Sequence, residues 1–303
     1  MAVHIFKLIR WPNLIIIGLL QYLLRYSLME PILETEGLGL LMTDFEFALL
    51  SFSCILIAAG GYVINDIEDE KIDRINKPDQ LIVGNHITKD SALNLYLLLS
   101  FLGILCGFYL SYIKGYSYLG IINLIISGML YFYSTSYKCI PVLGNIIISL
   151  LSAAVVFIVV IPEPFVKEHP GIMLIVGAFM FFSFLLTLVR EIIKDIEDSD
   201  GDRKAGCATL ANKIGQTPGK WIATLITLLV LIVLISAQVL SQQWESFIPF
   251  IYIVLFIDLP LLRIIYLLIK AENKSDFSLA SFWLKITMFT GTISLAVFNY
   301  SFN

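Results

Sequence analysis

Runs of roughly twenty apolar residues recur along this chain, at about 11–29, 46–66, 91–113, 117–136, 144–162, 172–193, 221–241, 247–269 and 281–300. Most are close to the ~20 residues an α-helix needs to cross the hydrocarbon core of a bilayer. Lipid offers no hydrogen bonds to a peptide group, so a spanning segment must satisfy its own backbone, which an isolated apolar run does as a helix. Composition agrees. Hydrophobic residues make up 58% of the chain and charged residues 15%, against about 25% charged in soluble domains. The expected fold is an all-α membrane protein of nine transmembrane helices, with no soluble domain.

Lys7 and Arg10 precede the first run, as in a signal peptide, but no small-residue cleavage site follows, so this segment is read as a retained helix. With nine spans, every Lys and Arg except Arg25, Lys114 and Lys167 falls on the side that carries the N-terminus. By the positive-inside rule that side is cytoplasmic and the C-terminus lies outside. The net charge of −4 says little about partners, because the loops on the N-terminal side mix both signs, and nucleic acid is not expected among them. The four Cys lack a C-x-x-C pair and the three His lack ligand spacing, so neither a disulfide framework nor a zinc site is expected.

Two polar stretches follow the second and sixth runs, and each opens with Asp-Ile-Glu-Asp. Asp66, Asp69 and Asp73 repeat the spacing of Asp195, Asp198 and Asp202, both reading D-x-x-D-x-x-x-D. Residues at i, i+3 and i+7 share one helix face, so each stretch presents a column of carboxylates. Glu68 and Glu197 lie off the columns and are expected to be secondary. The repeat makes the second and sixth helices counterparts in a pseudosymmetric bundle, with the columns facing each other at a central cavity. Gly60-Gly61, just before the first column, suits close helix approach. Pro249 and Pro260 fall inside the eighth helix, where they are candidates to kink it.

Six Asp at the ends of membrane helices require counter-charge. Mg²⁺ fits, because it takes one or two carboxylates and leaves its other positions to water and phosphate oxygens. A diphosphate between the columns would complete such a site, gripped by Arg74, Lys77, Arg190, Lys194, Arg203 and Lys204. Metal and cations stabilise a departing diphosphate, and aromatic faces shelter the allylic cation left behind. Tyr62, Tyr131, Phe132, Tyr133 and Tyr137 are candidates for that cage or for an interfacial aromatic belt. Arg263 and Lys285 read as snorkelling cations, Lys213, Lys220, Lys270 and Lys274 as topology signals, and Asn13 and Asn145 as interhelical hydrogen-bonding groups. Glu70 and Arg74 are spaced for an i,i+4 ion pair. An ion-coupled transporter is the rival reading. It fits less well because every motif Asp lies at a helix end rather than at mid-membrane.

Asn65-Asp66-x-x-Asp69-x-x-x-Asp73 and Asp195-x-x-Asp198-x-x-x-Asp202 resemble the two signature motifs of the UbiA superfamily of intramembrane prenyltransferases. Arg10-Trp11-Pro12-Asn13, Asn76-Lys77-Pro78, Tyr133-Ser134 with Lys138, and Arg190-Glu191 support the likeness, which covers nearly the whole chain. The resemblance implies one transmembrane prenyltransferase domain over 1–303, with Asp motifs at 65–73 and 195–202 and cytoplasmic cap loops. It implies Mg²⁺-diphosphate on Asp66, Asp69, Asp73, Asp195, Asp198 and Asp202. Asn65 would support the first site, Asn13 would line the pocket, and Arg74, Lys77, Tyr133, Tyr137, Lys138, Arg190 and Lys194 would contact substrate. The partners implied are a polyprenyl diphosphate donor, a lipophilic acceptor and membrane lipid, in a prokaryotic cell membrane.

Within the superfamily, Arg190–Asp198 and Pro141-Val142-Leu143-Gly144-Asn145-Ile146 look most like enzymes acting on geranylgeranylglyceryl phosphate. The alternative is an aromatic acceptor such as 4-hydroxybenzoate or dihydroxynaphthoate. Two departures bear on the acceptor: Asp79-Gln80-Leu81-Ile82 stands where an Arg-Pro element is common, and Ala211 where Pro commonly follows Thr-Leu.

Overall fold

The structure is a computed structural model that describes residues 2–115, 118–240 and 247–302. Residues 117 and 241, at the ends of two expected spans, lie outside these. Among the described residues nine helices form the bundle: α1 (Trp11–Thr35), α2 (Asp44–Glu68), α3 (Lys89–Lys114), α4 (Tyr118–Tyr137), α5 (Leu143–Phe157), α6 (Pro170–Lys204), α7 (Gln216–Leu240), α8 (Phe247–Lys270) and α9 (Lys274–Phe302). Eight of them are long and apolar enough to cross a membrane. The exception is α5, whose 15 residues span roughly 22 Å at 1.5 Å per residue. Beyond it the expected fifth run leaves the helix in a turn over 158–163.

Local chemistry sets the helix ends. Thr43 and Glu46 form a reciprocal capping box at the start of α2. Thr88 caps α3, and the His169 ring accepts from Ile172 N at 3.1 Å to cap α6. Large side chains such as Phe101, Tyr112, Leu225, Ile232 and Leu240 are exposed on the outer surface, the pattern of a bundle that faces lipid. This is a multi-pass integral membrane protein.

Close packing brings the motif helices into place. A Cβ on Gly60 would fall 2.7 Å from Ser100 Oγ of α3, and one on Gly61 would fall 2.9 Å from Leu130 of α4. The two glycines let α2 approach both neighbours with those side chains in place. The prolines of α8 do not break it. Pro260 has no N–H to give the carbonyl of Phe256, and that carbonyl instead accepts from Thr290 Oγ1 of α9 at 2.7 Å. A π-turn over Val254–Asp258 absorbs the mismatch.

The two ends of the bundle differ in chemistry. At one end Arg25 is buried, donates to Met42 O at 2.7 Å, and lies 3.7 Å from the buried carboxylate of Glu163. Glu163 in turn accepts from Leu41 N and Met42 N at 2.5 and 3.0 Å. This closes the bundle between α1, the α1–α2 loop and the turn after α5. At the other end lie both Asp motifs, with Leu8 of the N-terminal helix Ala2–Leu8 packed against Val63, Ile64, Ile67, Val83 and Ile87.

A disulfide joins Cys139 and Cys207 at the motif end, which corrects the expectation that none forms. The two are 68 residues apart, a pairing that spacing alone does not reveal. The fold brings the segment after α4 beside the segment after α6.

Candidate active site

α2 ends at Glu68. The chain turns at Asp69 and resumes as the helix Glu70–Asn76. The first Asp column is therefore bent, whereas the second lies wholly within the unbroken α6. Arg10 stands between the N-terminal helix and α1 in the left-handed region, at φ 51 and ψ 51. From there its guanidinium donates to Asp66 Oδ1 at 2.7 Å and lies 5.0 Å from the centre of the Tyr62 ring. Asn13 donates to the Tyr62 hydroxyl at 3.2 Å.

Asp69 is held from two sides. Asn65 Nδ2 donates to its Oδ2 at 2.8 Å, and Lys138, reaching from the segment after α4, donates to the same oxygen. Burial works against the Lys138 charge, yet Asp69, Asp73 and Asp202 outweigh it and raise its pKa. A single ammonium thus feels carboxylates from both motifs. For Asp73 burial together with Asp69 and Asp66 outweighs the opposing charges of Lys77 and Lys138 and pushes it up to about 6.

The second column is gripped by residues of the first half. Lys77 Nζ donates to Asp198 Oδ2 at 2.7 Å, and Lys274 Nζ lies 3.8 Å from Asp198 Oδ1. Burial opposes the Lys77 charge, but Asp198 and Glu197 raise its pKa. Asn76 works on the backbone: its Nδ2 donates to Asp198 O at 2.9 Å and its Oδ1 accepts from Gly201 N at 3.0 Å. A Cβ on Gly201 would fall 2.4 Å from the Asn76 amide, so this contact requires glycine. Asn145 of α5 donates to Asp195 Oδ2 at 2.9 Å.

All six Asp, with Asn13, Asn65, Lys77, Tyr133, Lys138, Arg190 and Lys194, line one cavity of about 1990 Å³. Away from the carboxylates its walls turn apolar, with Ile17, Leu130, Ile148, Phe182, Leu186 and Leu261. Four expected substrate contacts are absent from the lining: Arg74, Tyr137, and the exposed Arg203 and Lys204, of which Arg203 pairs with Asp200 at 3.1 Å. Arg74 is exposed and pairs with Glu70 at 2.9 Å, and Tyr137 packs near Phe132 with ring centres 6.3 Å apart. Tyr131 and Phe132 are exposed at the surface, so Tyr62 and Tyr133 are the cavity's share of that aromatic group. Of the two paired Glu, Glu197 lines the cavity and Glu68 does not.

Sequence reasoning gave Asn145, Lys274 and Lys285 roles away from the site, and did not weigh Arg10 individually. The structure puts Asn145 on Asp195, Lys274 beside Asp198, Arg10 on Asp66 and Lys285 on the cavity wall. For Asn145 a signal was present, as an amide inside an otherwise apolar run.

Among the described residues no three His, Cys, Asp or Glu side chains converge closely enough to hold a metal unaided. The donor set still suits a hard divalent cation that takes part of its shell from phosphate oxygens. It is entirely carboxylate, and Asp198 Oδ1 is buried with no hydrogen-bond donor. Such an arrangement is competent to receive a polyanion with its counter-ions and to store an apolar chain beyond it.

The chain is 30% identical over 256 residues to a digeranylgeranylglyceryl phosphate synthase of Methanosphaera stadtmanae, covering 84% of this chain and 88% of that protein. It is 32% identical over 239 residues to the protein of that name from Saccharolobus solfataricus, covering 79% of each. A solved structure concerned with digeranylgeranylglyceryl phosphate synthase in membranes matches with a TM-score of 0.65 at 27% identity, covering 98% of this chain and 97% of that one. A UbiA homologue from Archaeoglobus fulgidus bound to GPP and Mg²⁺ shares the fold, with a TM-score of 0.62 at 15% identity over 97% of this chain and 99% of that one. The sequence profile of the UbiA prenyltransferase family matches residues 38–288, and the chain belongs to that family.

Proposed function

We propose that residues 1–303 form one prenyltransferase domain that transfers a geranylgeranyl group from its diphosphate to geranylgeranylglyceryl phosphate. The observation that carries this reading is the meeting of both Asp motifs at one cavity, cross-held by Lys77 and Asp198 at 2.7 Å. The cavity's about 1990 Å³ is roughly twice the upper end of the ~300–1,000 Å³ usual for small-molecule pockets. Room of that order suits two lipid substrates better than one lipid and a small aromatic ring. The names of the relatives point the same way.

Asp66, Asp69, Asp73, Asp195, Asp198 and Asp202 would hold Mg²⁺, which when bound neutralises charge building on the leaving diphosphate. Lys77 and Lys138 reach the same oxygens and add fixed positive charge. Tyr62 and Tyr133 present aromatic faces near the carbon being released, and the apolar walls keep water from it. The allylic C–O bond breaks, the acceptor hydroxyl oxygen bonds that carbon and loses its proton, and diphosphate departs with the electron pair. In a prokaryotic cell membrane the motif end would face the cytoplasm, because Arg25, Lys114 and Lys167 are the only Lys or Arg of the opposite end.

The test uses purified protein in lipid with geranylgeranyl diphosphate and either geranylgeranylglyceryl phosphate or 4-hydroxybenzoate. Prenyl transfer to the glyceryl phosphate is expected, lost on chelation of divalent metal and in Asp198→Ala, with the variant still folded in membranes. Product from the aromatic acceptor alone would overturn the acceptor, and full activity of Asp198→Ala would overturn the mechanism.

A further inference from the structure

The cations that hold the Asp columns are Arg10 on Asp66, Lys138 on Asp69, and Lys77 and Lys274 on Asp198. Four other cations line the same cavity and are not used in this way: Lys7, which is exposed on the N-terminal helix, and the group of Arg190 and Lys194 of α6 with Lys285 of α9. Among the described residues no carboxylate comes within 4.0 Å of Lys194 or Lys285, since neither occurs in any of the ion pairs. Arg190 Nη1 pairs with Glu191 at 3.0 Å, but its Nε is buried without a hydrogen-bond partner. A cation inside a membrane span that lacks a close counter-ion is costly. Lys194 and Lys285 lack one, and Arg190 keeps a buried donor free, so the group is suited to an anion.

The register of α6 and α9 sets the depth of this group. The two helices pack side by side, and Lys274 lies 3.8 Å from Asp198 at the mouth. From Asp198 back to Arg190 is eight residues, and from Lys274 forward to Lys285 is eleven. At 1.5 Å per residue these are about 12 and 16 Å inward, so both charges lie past the carboxylates at comparable depth. Lys285 shares a helix face with Ser278 and Ser281, at spacings of seven and four, and all three line the cavity. Arg190 and Arg10 act electrostatically on both Lys194 and Lys285. Glu191 acts on Lys194, and Glu197 acts on Lys285 from beyond ion-pair distance. Phe282, Met288 and Leu261 give the wall around Lys285 apolar surface.

We infer that Arg190, Lys194 and Lys285, with the hydroxyls of Ser278 and Ser281, form a second anion subsite that binds the phosphomonoester of the acceptor. The inference rests on the proposed function and adds to it the residue set that selects a phosphorylated acceptor. Arg190 and Lys285 lie past the columns, Lys194 sits at their inner edge beside Asp195, and none of the three pairs with a motif carboxylate. Arg190 offers a planar fork and the lysines offer point charges, a combination suited to a tetrahedral dianion. The acceptor's phosphate would lie on α6 and α9 while its hydroxyl reaches back toward the Asp columns.

Steady-state kinetics in lipid with Lys285→Ala and Lys285→Arg test this, varying donor and acceptor separately and using the dephosphorylated acceptor as comparison. Lys285→Ala is expected to raise the KM for phosphorylated acceptor about 10–100-fold with the donor KM unchanged. It should also narrow the preference over dephosphorylated acceptor, and Lys285→Arg should recover most of the loss. A matching rise in donor KM would overturn the assignment by making the cluster part of the diphosphate site. Unchanged acceptor KM and preference would overturn it while leaving the proposed function intact. A wild-type protein that turns over only unphosphorylated aromatic acceptor would overturn both.

Discussion

Lys77 donates to Asp198 across 2.7 Å, although 121 residues separate them in the chain. The bond joins the segment just after the first Asp motif to the middle of the second. Two acidic stretches on different helices thereby become one site. Asn76, its neighbour, holds the backbone of the same turn through Asp198 O and Gly201 N. The first motif's own carboxylates are held by Arg10, Asn65 and Lys138.

Lys77→Met is expected to leave Asp198 with only the more distant Lys274 and to lower kcat/KM for the diphosphate donor at least tenfold. A partly buried charged hydrogen bond is worth about 1.5–3 kcal/mol. Lys77→Arg should restore part of this. Donor titrations at saturating acceptor check it, and an unchanged kcat/KM in Lys77→Met would count against a cross-motif clamp.

Gly201→Ala separates helix propensity from tertiary fit. In a helix interior alanine is favoured over glycine by roughly 1 kcal/mol, yet here its Cβ would sit 2.4 Å from the Asn76 amide. Loss of activity is expected despite the better helix former. Adding Asn76→Ala should relieve the collision without restoring the bonds to Asp198 O and Gly201 N. The double variant should then be more stable than Gly201→Ala but no more active, as read by thermal unfolding and turnover.

Cys139 and Cys207 tie the segment after α4 to the segment after α6, and Cys207 N also donates to Asp202 O at 2.8 Å. In the chain-entropy account, a loop of 68 residues closed in this way contributes at most about 4 kcal/mol. Cys207→Ser should lower thermal stability toward the level of the wild type under reducing agent, with no further loss on reducing the variant. Thiol labelling in unreduced membranes, where Cys54 and Cys106 are the free cysteines, checks that the bond exists.

Thr290 stands in for the donor that Pro260 lacks. Thr290→Val should leave the Phe256 carbonyl without that hydroxyl and cost about 1–3 kcal/mol. Pro260→Ala provides an N–H to the same carbonyl, so the double variant should recover stability. A double-mutant cycle on thermal unfolding in lipid or detergent reads the coupling, and strict additivity would remove this explanation of how α8 tolerates its proline.

Much of this protein was legible in its sequence. Apolar run length demanded membrane helices, because lipid leaves the backbone no other partner, and the repeated Asp spacing marked the two ends that share a site. Those signals are local: each depends on residues within a few turns of one another. Pairing across the chain is not local, and there the sequence was silent or misleading. Nothing in the neighbourhood of Lys285 or Lys274 distinguishes a cation turned toward the site from one facing lipid headgroups, because rotation of the helix about its axis decides it. Arg74 seemed equivalent to Lys77, yet the turn at Asp69 and the helix that follows direct one to Glu70 and the other to Asp198. Cys139 and Cys207 likewise meet only once α4 and α6 are docked. The sequence by itself determined that the chain crosses a membrane and carries two carboxylate columns. The tertiary structure alone decided which cations face them, since that depends on the register and rotation of packed helices and not on the order of residues within any one of them.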